Sequence, residues 1–247
     1  MKKLLVITSL VVVLFITGCV KFDPFAPISN EQVEKLLVKA KAAHPERVKS
    51  DSCGVLTFDQ IKDILATVNK APQIPVEQRE VALLETNLGT LAIAFHVDVA
   101  PKHAESFKRL VNAGYFDCTK FHRILKDFVI QGGDILTRDA NPSNDGIGGP
   151  GYNLPAEFSE LPHGPGVVSM ARRGDDINSA GSQFFICLTR ERTARLDRQY
   201  TVFGQVIGGY DVVEKIAALP TGSTPERQEP SVPTEPVYIK RAFMIKR

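Results

Sequence analysis

From Val76 to the C-terminus, the chain alternates short apolar runs with turn residues, a pattern typical of β-strands joined by tight connections. Residues 81–85 and 90–95 flank Asn87-Leu88-Gly89, which predicts a β-hairpin. The same pattern predicts six further strands: 121–125, 129–131, 167–170, 183–188, 201–206 and 237–245. Many short strands favour an antiparallel sheet or a closed barrel of the α+β or all-β class.

Two segments of this region have helical periodicity instead. Pro101 suits the first turn of a helix in which Ala104 and Phe107 share an apolar face, and Gly114 ends that helix. A second amphipathic helix is predicted over residues 211–219.

Two more amphipathic segments precede the strand-rich region. The first covers residues 31–43, with Ser29 or Asn30 as its N-cap, and the second covers residues 58–68. Because helices this short are not stable alone, they must pack on each other, on the main domain or on another subunit. The extension is then either a small helical appendage or an element for dimerisation or for holding client chains.

The N-terminus has the features of an export signal. Met1-Lys2-Lys3 supplies positive charge, and the apolar run over residues 4–16 is too short to span a bilayer stably. Ile16-Thr17-Gly18-Cys19 then resembles the bacterial lipobox, which implies cleavage before Cys19 and attachment of diacylglycerol to its sulfur. The alternatives are an uncleaved anchor or a plain secretory signal.

With each of these alternatives, the rest of the chain is expected outside the cytoplasm, in the bacterial cell envelope. Acyl chains on Cys19 would hold it at the membrane, since each buried methylene contributes about 0.8 kcal/mol. Val20 follows the cysteine where an Asp would retain the protein at the inner membrane. In a Gram-negative cell, the lipobox resemblance therefore implies the outer membrane, facing the periplasm.

Composition narrows the classes of function. The chain has 247 residues and a formal net charge of +2, and this balance argues against a nucleic-acid partner. With Cys19 lipidated, Cys53, Cys118 and Cys187 remain, and an odd number cannot all pair within one chain. One disulfide can form outside the cytoplasm, but the sequence does not say whether Cys118 and Cys187 form it. The spacing of histidines and cysteines does not match a metal site.

Four blocks occur in order along the strand-rich region: Phe121-His122-Arg123-Ile124 with 128–134, Gly148-Gly149-Pro150-Gly151-Tyr152 with 164–171, residues 178–186, and Leu196-Asp197 with 200–204. Together they resemble the signature segments of the cyclophilins, a family of peptidyl-prolyl cis-trans isomerases. The resemblance implies a mainly β fold, a closed eight-stranded antiparallel barrel capped by two α-helices. The predicted domains are a lipoprotein signal peptide over 1–18, a lipid-attached tether with two short helices over 19–75, and an isomerase domain over 76–247.

The chemistry of isomerisation fits these residue types. Rotation about a peptide bond faces a barrier of about 18–20 kcal/mol because the C–N bond has partial double-bond character. Since no covalent bond breaks, no nucleophile, metal or cofactor is needed, and the catalyst must bind the twisted amide best. The twisted prolyl nitrogen regains its lone pair, and the resemblance assigns Arg123 as the donor to it. Gln131 would hold the substrate carbonyl or orient Arg123, and Phe128 completes the catalytic set.

The resemblance also implies a set of substrate-binding residues: Val129, Ala171, Arg172, Gln183, Phe185, Leu196 and Tyr200. By family position, Phe128, Val129, Phe185 and Leu196 would form a slot for the proline ring, with Tyr200 at its rim. The backbone of Ala171 and Arg172 would pair with an extended, proline-containing polypeptide. From spacing alone, core aromatic residues would be the better interpretation of Phe128 and Phe185.

The sequence departs from the family at the edge of this slot. It contains no tryptophan, and Arg195 stands about where many members place one, so weak cyclosporin binding is expected. The sequence leaves two functions open. One is a folding catalyst for X-Pro bonds in exported proteins, and the other is a tethered chaperone or peptide-binding module with little turnover.

Overall fold

The computed structural model describes residues 22–48, 53–225 and 227–247. These residues contain five α-helices: α1 (Asn30–Ala43), α2 (Phe58–Lys70), α3 (Pro101–Asn112), α4 (Arg190–Thr193) and α5 (Tyr210–Ala217). They also contain ten β-strands: β1 (Glu80–Thr86), β2 (Gly89–Phe95), β3 (Arg123–Leu125), β4 (Val129–Gly132), β5 (Val167–Met170), β6 (Phe184–Cys187), β7 (Val202–Gly208), β8 (Thr221–Gly222), β9 (Val232–Pro233) and β10 (Ile239–Lys246).

The predicted signal segment and Cys19 lie outside the part of the chain that the structure describes. Among the residues that the structure describes, no helix is both long and apolar enough to cross a membrane.

Eight strands form one curled antiparallel sheet in the order β10-β1-β2-β7-β5-β6-β4-β3. Each corresponds to a strand predicted from the sequence, so the mainly β fold is confirmed. Side chains alternate between the two faces of the sheet. Ala82 and Leu84 of β1 join the core inside the curl, whereas Val81 and Leu83 join a second apolar cluster on its outer face.

The inner core is built around an aromatic group centred on α3. The ring of Phe107 has its centroid 4.7–5.8 Å from the centroids of Phe95, Phe116, Phe184 and Phe203. Such distances are typical of favourable aromatic pairs, and all five side chains are buried. Helix α3 is thereby fixed against strands from both halves of the sheet.

The predicted closure of the barrel is wrong in one respect, because β3 and β10 are edges of the sheet and form no ladder with each other. Strand β3 has only three residues, too few to reach along β10. The chain on either side of the gap bridges it instead. Lys120 forms an isolated bridge with Tyr238, and the Phe121 amide donates to the Val237 carbonyl at 2.9 Å.

The prediction of two capping helices is incomplete. Helices α3 and α5 are both present, although α5 ends at Ala217 rather than at residue 219. The pattern did not predict α4 or the β8–β9 hairpin. These elements have four residues in α4 and two in each strand, which is too few to show a period.

Both predicted N-terminal helices are present, and each begins with a capping box, at Ser29 for α1 and at Thr57 for α2. Of the arrangements left open by the sequence, the structure shows packing on the main domain. Helix α1 buries Val33 and Leu37 in the outer apolar cluster. Helix α2 instead adds Ile61 to the inner core.

The extended chain before α1 also lies against the barrel. The ring of Phe22 stacks with the guanidinium groups of Arg79 and Arg247, at 4.4 and 5.0 Å from the ring centroid. Phe25 stacks on His96 with ring centroids 4.2 Å apart. The segment predicted as a tether is therefore docked from its first described residue.

A disulfide joins Cys53, in the connection between α1 and α2, to Cys118, which precedes β3. This settles the pairing that the sequence left open, and Cys187 is a buried free thiol. Next to the disulfide, the Arg47 guanidinium donates to both carboxylate oxygens of Asp117, at 2.7 and 2.8 Å. The N-terminal extension is thus tied to the barrel by a covalent bond, an ion pair and apolar packing.

Removing the disulfide should destabilise the fold. We expect the double variant Cys53→Ser/Cys118→Ser to lose about 2–4 kcal/mol of unfolding free energy, because the unfolded chain regains the freedom of a long loop. Urea denaturation followed by circular dichroism measures this loss. A reducing agent should destabilise the parent by a similar amount and leave the double variant unchanged. Equal stability of oxidised parent and variant would contradict a stabilising disulfide.

Candidate active site

Arg123 is the first residue of β3 and lies opposite Gln131 of β4. Its guanidinium makes contacts on two sides. Nη1 donates to Gln131 Oε1 at 3.4 Å, while Nε and Nη2 donate to Glu229 Oε2 at 3.1 and 3.0 Å. The Arg123 side chain keeps 26% of its surface exposed, so it is held in place yet open to a ligand.

Gln131 continues a chain of hydrogen bonds away from Arg123. Its amide Nε2 donates to Gln183 Oε1 at 3.1 Å, and Gln183 Nε2 donates to the carbonyls of Gly146 and Gly148, each at 2.9 Å. The amide groups of both glycines donate to the buried carboxylate of Asp134. Burial raises the pKa of that carboxyl group above its usual value. The glycine-rich loop is therefore fixed from two sides.

Beside Arg123, an apolar cluster separate from the inner core contains Phe128, Val129, Phe185 and Leu196. These side chains are no more than 9% exposed, and with Arg123 they line a cavity of about 400 Å³. A concave cavity with an apolar wall and cationic side chains at its edge, Arg123 among them, can hold a compact apolar ring and present hydrogen bonds to it.

A network of hydrogen bonds, with His163 and Ser169 buried at its centre, supports the far wall of this cavity. His163 Nδ1 lies 3.2 Å from Asp197 Oδ1, and its Nε2 lies 3.1 Å from Ser169 Oγ. Ser169 donates to the Thr201 carbonyl and is fully buried, so this serine has no access to a substrate. Arg190 donates to both carboxylate oxygens of Asp197 and, as the largest cause, holds its pKa well below the usual range. The network therefore fixes the segment around Asp197, which carries Leu196 of the cavity wall.

The structure brings the ten predicted catalytic and substrate-binding residues together. Nine of them line the cavity: Arg123, Phe128, Val129, Gln131, Ala171, Arg172, Phe185, Leu196 and Tyr200. Gln183 lines an adjoining cavity of about 600 Å³, which shares Gln131, Ala171 and Arg172 with the first. The roles assigned to these residues remain predictions.

Two features bear on those roles. The Ala171 amide already donates to the Gln183 carbonyl at 2.8 Å, so pairing with a substrate would use the Ala171 carbonyl and the Arg172 amide. The Arg172 side chain lies over the ring of Tyr200, 4.7 Å from its centroid. Tyr200 in turn meets the Phe185 ring edge to face, at 5.6 Å between centroids.

Sequence reasoning missed Glu229, which binds Arg123 from a segment distant in sequence. The sequence predicted Arg195 at the edge of the slot but did not predict which residue it contacts. The structure shows its guanidinium 4.5 Å from the Phe128 ring centroid. Neither the period of the strands nor the motif blocks contained a signal for the Glu229 contact.

Comparison with known proteins decides the family. The model of the family described as "Cyclophilin type peptidyl-prolyl cis-trans isomerase/CLD" matches residues 81–243. The chain belongs to the cyclophilins. The enzyme class is accordingly peptidyl-prolyl cis-trans isomerase, the name carried by several of its relatives.

Related cyclophilins come from distant organisms. Peptidyl-prolyl cis-trans isomerase 11 of Caenorhabditis elegans is 38% identical over 180 residues, which cover 69% of this chain and 94% of the relative. A probable isomerase of Brucella abortus is 40% identical over 139 residues, covering 54% of this chain and 69% of the relative. A crystal structure of a Cryptosporidium parvum cyclophilin, obtained in the presence of the dipeptide Ala-Pro, has a TM-score of 0.58 and 29% identity, and covers 68% of this chain and 99% of that one.

The histidine beside Arg123 is buried in this cyclophilin. His122 is 3% exposed, and neither ring nitrogen has a hydrogen-bond partner among the described residues. Burial, helped by the charges of Arg227 and Arg123, lowers the pKa of His122 to about 3. The ring is therefore neutral at physiological pH.

His122 should make the fold sensitive to acid. Below about pH 6.5 the unfolded chain binds a proton at His122, whereas the folded chain binds it only near pH 3, so stability falls as the pH falls between these values. We expect His122→Phe to flatten this dependence by up to about 1.4 kcal/mol per pH unit. Urea unfolding across this range measures it. His103 and His163 remain in both proteins, so their effects cancel, and equal slopes would contradict neutral burial of His122.

Proposed function

We propose that this cyclophilin accelerates rotation about X-Pro bonds in exported polypeptides, and so assists protein folding outside the cytoplasm. Uncatalysed isomerisation takes tens to hundreds of seconds, long enough to limit folding. The observation that carries the catalytic part is the guanidinium of Arg123 at the rim of an apolar cavity, held by Gln131 and Glu229. The predicted export signal and the Cys53–Cys118 disulfide support the proposed location, since disulfides persist mainly outside the cytoplasm.

In the proposed mechanism, the proline ring occupies the slot formed by Phe128, Val129, Phe185 and Leu196. Arg123 donates a hydrogen bond to the prolyl nitrogen as the amide twists and the nitrogen lone pair localises. This bond is stronger in the twisted state than in either planar state, so it lowers the barrier rather than merely tightening binding.

In the same proposal, Gln131 both orients Arg123 and presents a fixed dipole to the substrate. Its carbonyl oxygen accepts from Arg123, and its amide donates to Gln183, so its orientation is fixed before a substrate arrives. A fixed dipole at this position supports the twisted amide without reorganisation during the reaction. The substrate chain would run beside Ala171 and Arg172, where an extended strand can pair with backbone groups.

The proposed lipid on Cys19 would bring the barrel close to the membrane. Only Val20 and Lys21 separate Cys19 from Phe22, which is docked between Arg79 and Arg247. Three residue steps span at most about 11 Å, so the barrel cannot move far from the headgroups. The clients that we propose are therefore polypeptides that emerge or fold at the envelope membrane.

The alternative of a tethered binding module would be favoured by a large exposed apolar face on residues 31–68. In the described part of that region, Val33, Leu37, Ile61 and Val68 are buried against the barrel, whereas Val38, Val55 and Phe58 are exposed. The apolar residues at helical spacing are thus used in packing on the barrel, which favours the enzyme over the alternative. For cyclosporin we propose weak binding, because Arg195 covers the Phe128 ring where an aromatic wall would otherwise stand.

Arg123→Ala should remove most of the activity. In protease-coupled isomerisation of a short X-Pro peptide, we expect kcat/KM to fall by about 10²-fold or more, the size of effect seen when a preorganised donor is deleted. The matched control is Arg192→Ala, an exposed arginine on α4, which should match the parent. A folded Arg123→Ala variant with parental activity would sink the proposed role of Arg123.

Cys19→Ser should release the protein from the membrane. In cells labelled with a radioactive fatty acid, we expect the parent to carry label and to sediment with membranes, and the variant to do neither. Cys53→Ser is the matched control, because it removes another cysteine and should stay labelled. Loss of label without release would point to an uncleaved anchor, and absence of label in the parent would contradict lipidation.

A further inference from the structure

The segment 227–231 lies along the open edge of β3 and makes contacts on both sides of Arg123. The Arg227 guanidinium donates to the carbonyl of His122 at 2.9 Å, and the Ile124 amide donates to the carbonyl of Ser231 at 2.7 Å. Between these two contacts, Glu229 binds the side chain of Arg123 itself. The segment thus covers the sheet edge at the residue to which we assign the chemistry.

The geometry of the Glu229 contact determines the orientation of the Arg123 guanidinium. One oxygen, Oε2, accepts from both Nε and Nη2 of Arg123, which occupies that edge of the planar group. The other edge, with Nη1, faces Gln131, and both residues line the cavity. A charged acceptor on one edge therefore directs the opposite edge towards Gln131 and the cavity.

The carboxylate also lies within electrostatic range of a second positive charge, that of Arg227. Arg227 donates a second bond to the carbonyl of Asp145 at 3.2 Å, so its guanidinium is held near His122 and Arg123. Burial and the charge of Arg123 lower the pKa of Arg227, and the charges of Asp145 and Glu229 act in the opposite direction. The negative charge of Glu229 therefore offsets part of the repulsion between the guanidinium groups of Arg123 and Arg227.

We propose that Glu229 is a positioning residue for the isomerase reaction, setting the orientation of the Arg123 guanidinium before the substrate binds. This inference rests on the proposed catalytic role of Arg123. A free arginine side chain samples many rotamers, and ordering it only in the transition state would raise the barrier. In the resting enzyme, the contact with Glu229 already holds the Arg123 side chain in one orientation.

The test compares Glu229→Ala and Glu229→Gln in the full-length chain, using an uncharged X-Pro peptide. Glu229→Ala should lower kcat about tenfold and leave KM within about twofold, because the proline slot is intact while the donor is misplaced. Glu229→Gln keeps an acceptor oxygen at the same reach and should recover most of kcat. The control Glu235→Ala removes an exposed acid from the following turn and should match the parent.

A second readout reports the guanidinium directly. The Nε–H signal of Arg123 in ¹H–¹⁵N NMR spectra, assigned by its loss in Arg123→Ala, should exchange slowly with solvent in the parent and rapidly in Glu229→Ala. A purely structural effect on the loop would lower thermal stability without that pattern, and Glu229→Gln would then not rescue kcat.

The outcomes separate the two proposals. If Arg123→Ala loses activity but Glu229→Ala keeps parental kcat and an unchanged Nε–H signal, the positioning role is wrong and the role of Arg123 stands. If Arg123→Ala keeps activity, both proposals fall. A faster Glu229→Ala enzyme would also overturn the inference, since the carboxylate would then restrain Arg123 rather than position it.

Discussion

An antiparallel sheet that curls without closing leaves two edges whose backbone groups need partners, and this constraint organises the structure around the site. The edge at β3 is short and lies next to the cavity. Its groups are satisfied by the bridge from Lys120 to Tyr238 and by the segment that ends at Ser231. Because Arg123 is the first residue of that strand, whatever covers the edge also decides how its side chain is held.

The elements that depend on local pattern could be predicted from the sequence. Strand positions follow from apolar runs and turn residues. Ser29 is one of the two N-caps predicted for α1, and Thr57 directly precedes the predicted start of α2. The motif blocks identified the residues around the cavity, since each block places its side chains through its own strand or turn. The eight-stranded sheet and the ten clustered residues are consistent with that reasoning.

Features that depend on contacts between distant segments could not be predicted in this way. Glu229 reaches Arg123 across 106 positions, and Cys53 reaches Cys118 across 65. Local periodicity contains no information about such pairings. The prediction of a closed barrel was wrong for the same reason. The strand pattern shows that β3 exists, but it does not show that the 227–231 segment takes the place of a neighbouring strand.

The sequence did contain a sign that the N-terminal helices are part of the domain. In β1 the run Val81 to Leu84 is apolar at every position, and all four side chains are buried. A strand exposed on one face would alternate with polar residues, so a continuous run requires a cover on its outer face. Helix α1 provides that cover with Val33 and Leu37.

A barrel cut before β1 would therefore expose its outer apolar cluster and lose the partner of Cys118, so its activity would report on a destabilised protein. The same packing links the proposed anchor to the catalytic domain. Phe22 is stacked on Arg247 at the end of β10, α1 covers β1 and β2, and the disulfide reaches Cys118 just before β3. Each part of the extension thus contacts the sheet that positions Arg123. In the proposed location at the membrane, the enzyme would work as one rigid unit close to the surface rather than as a barrel on a free tether.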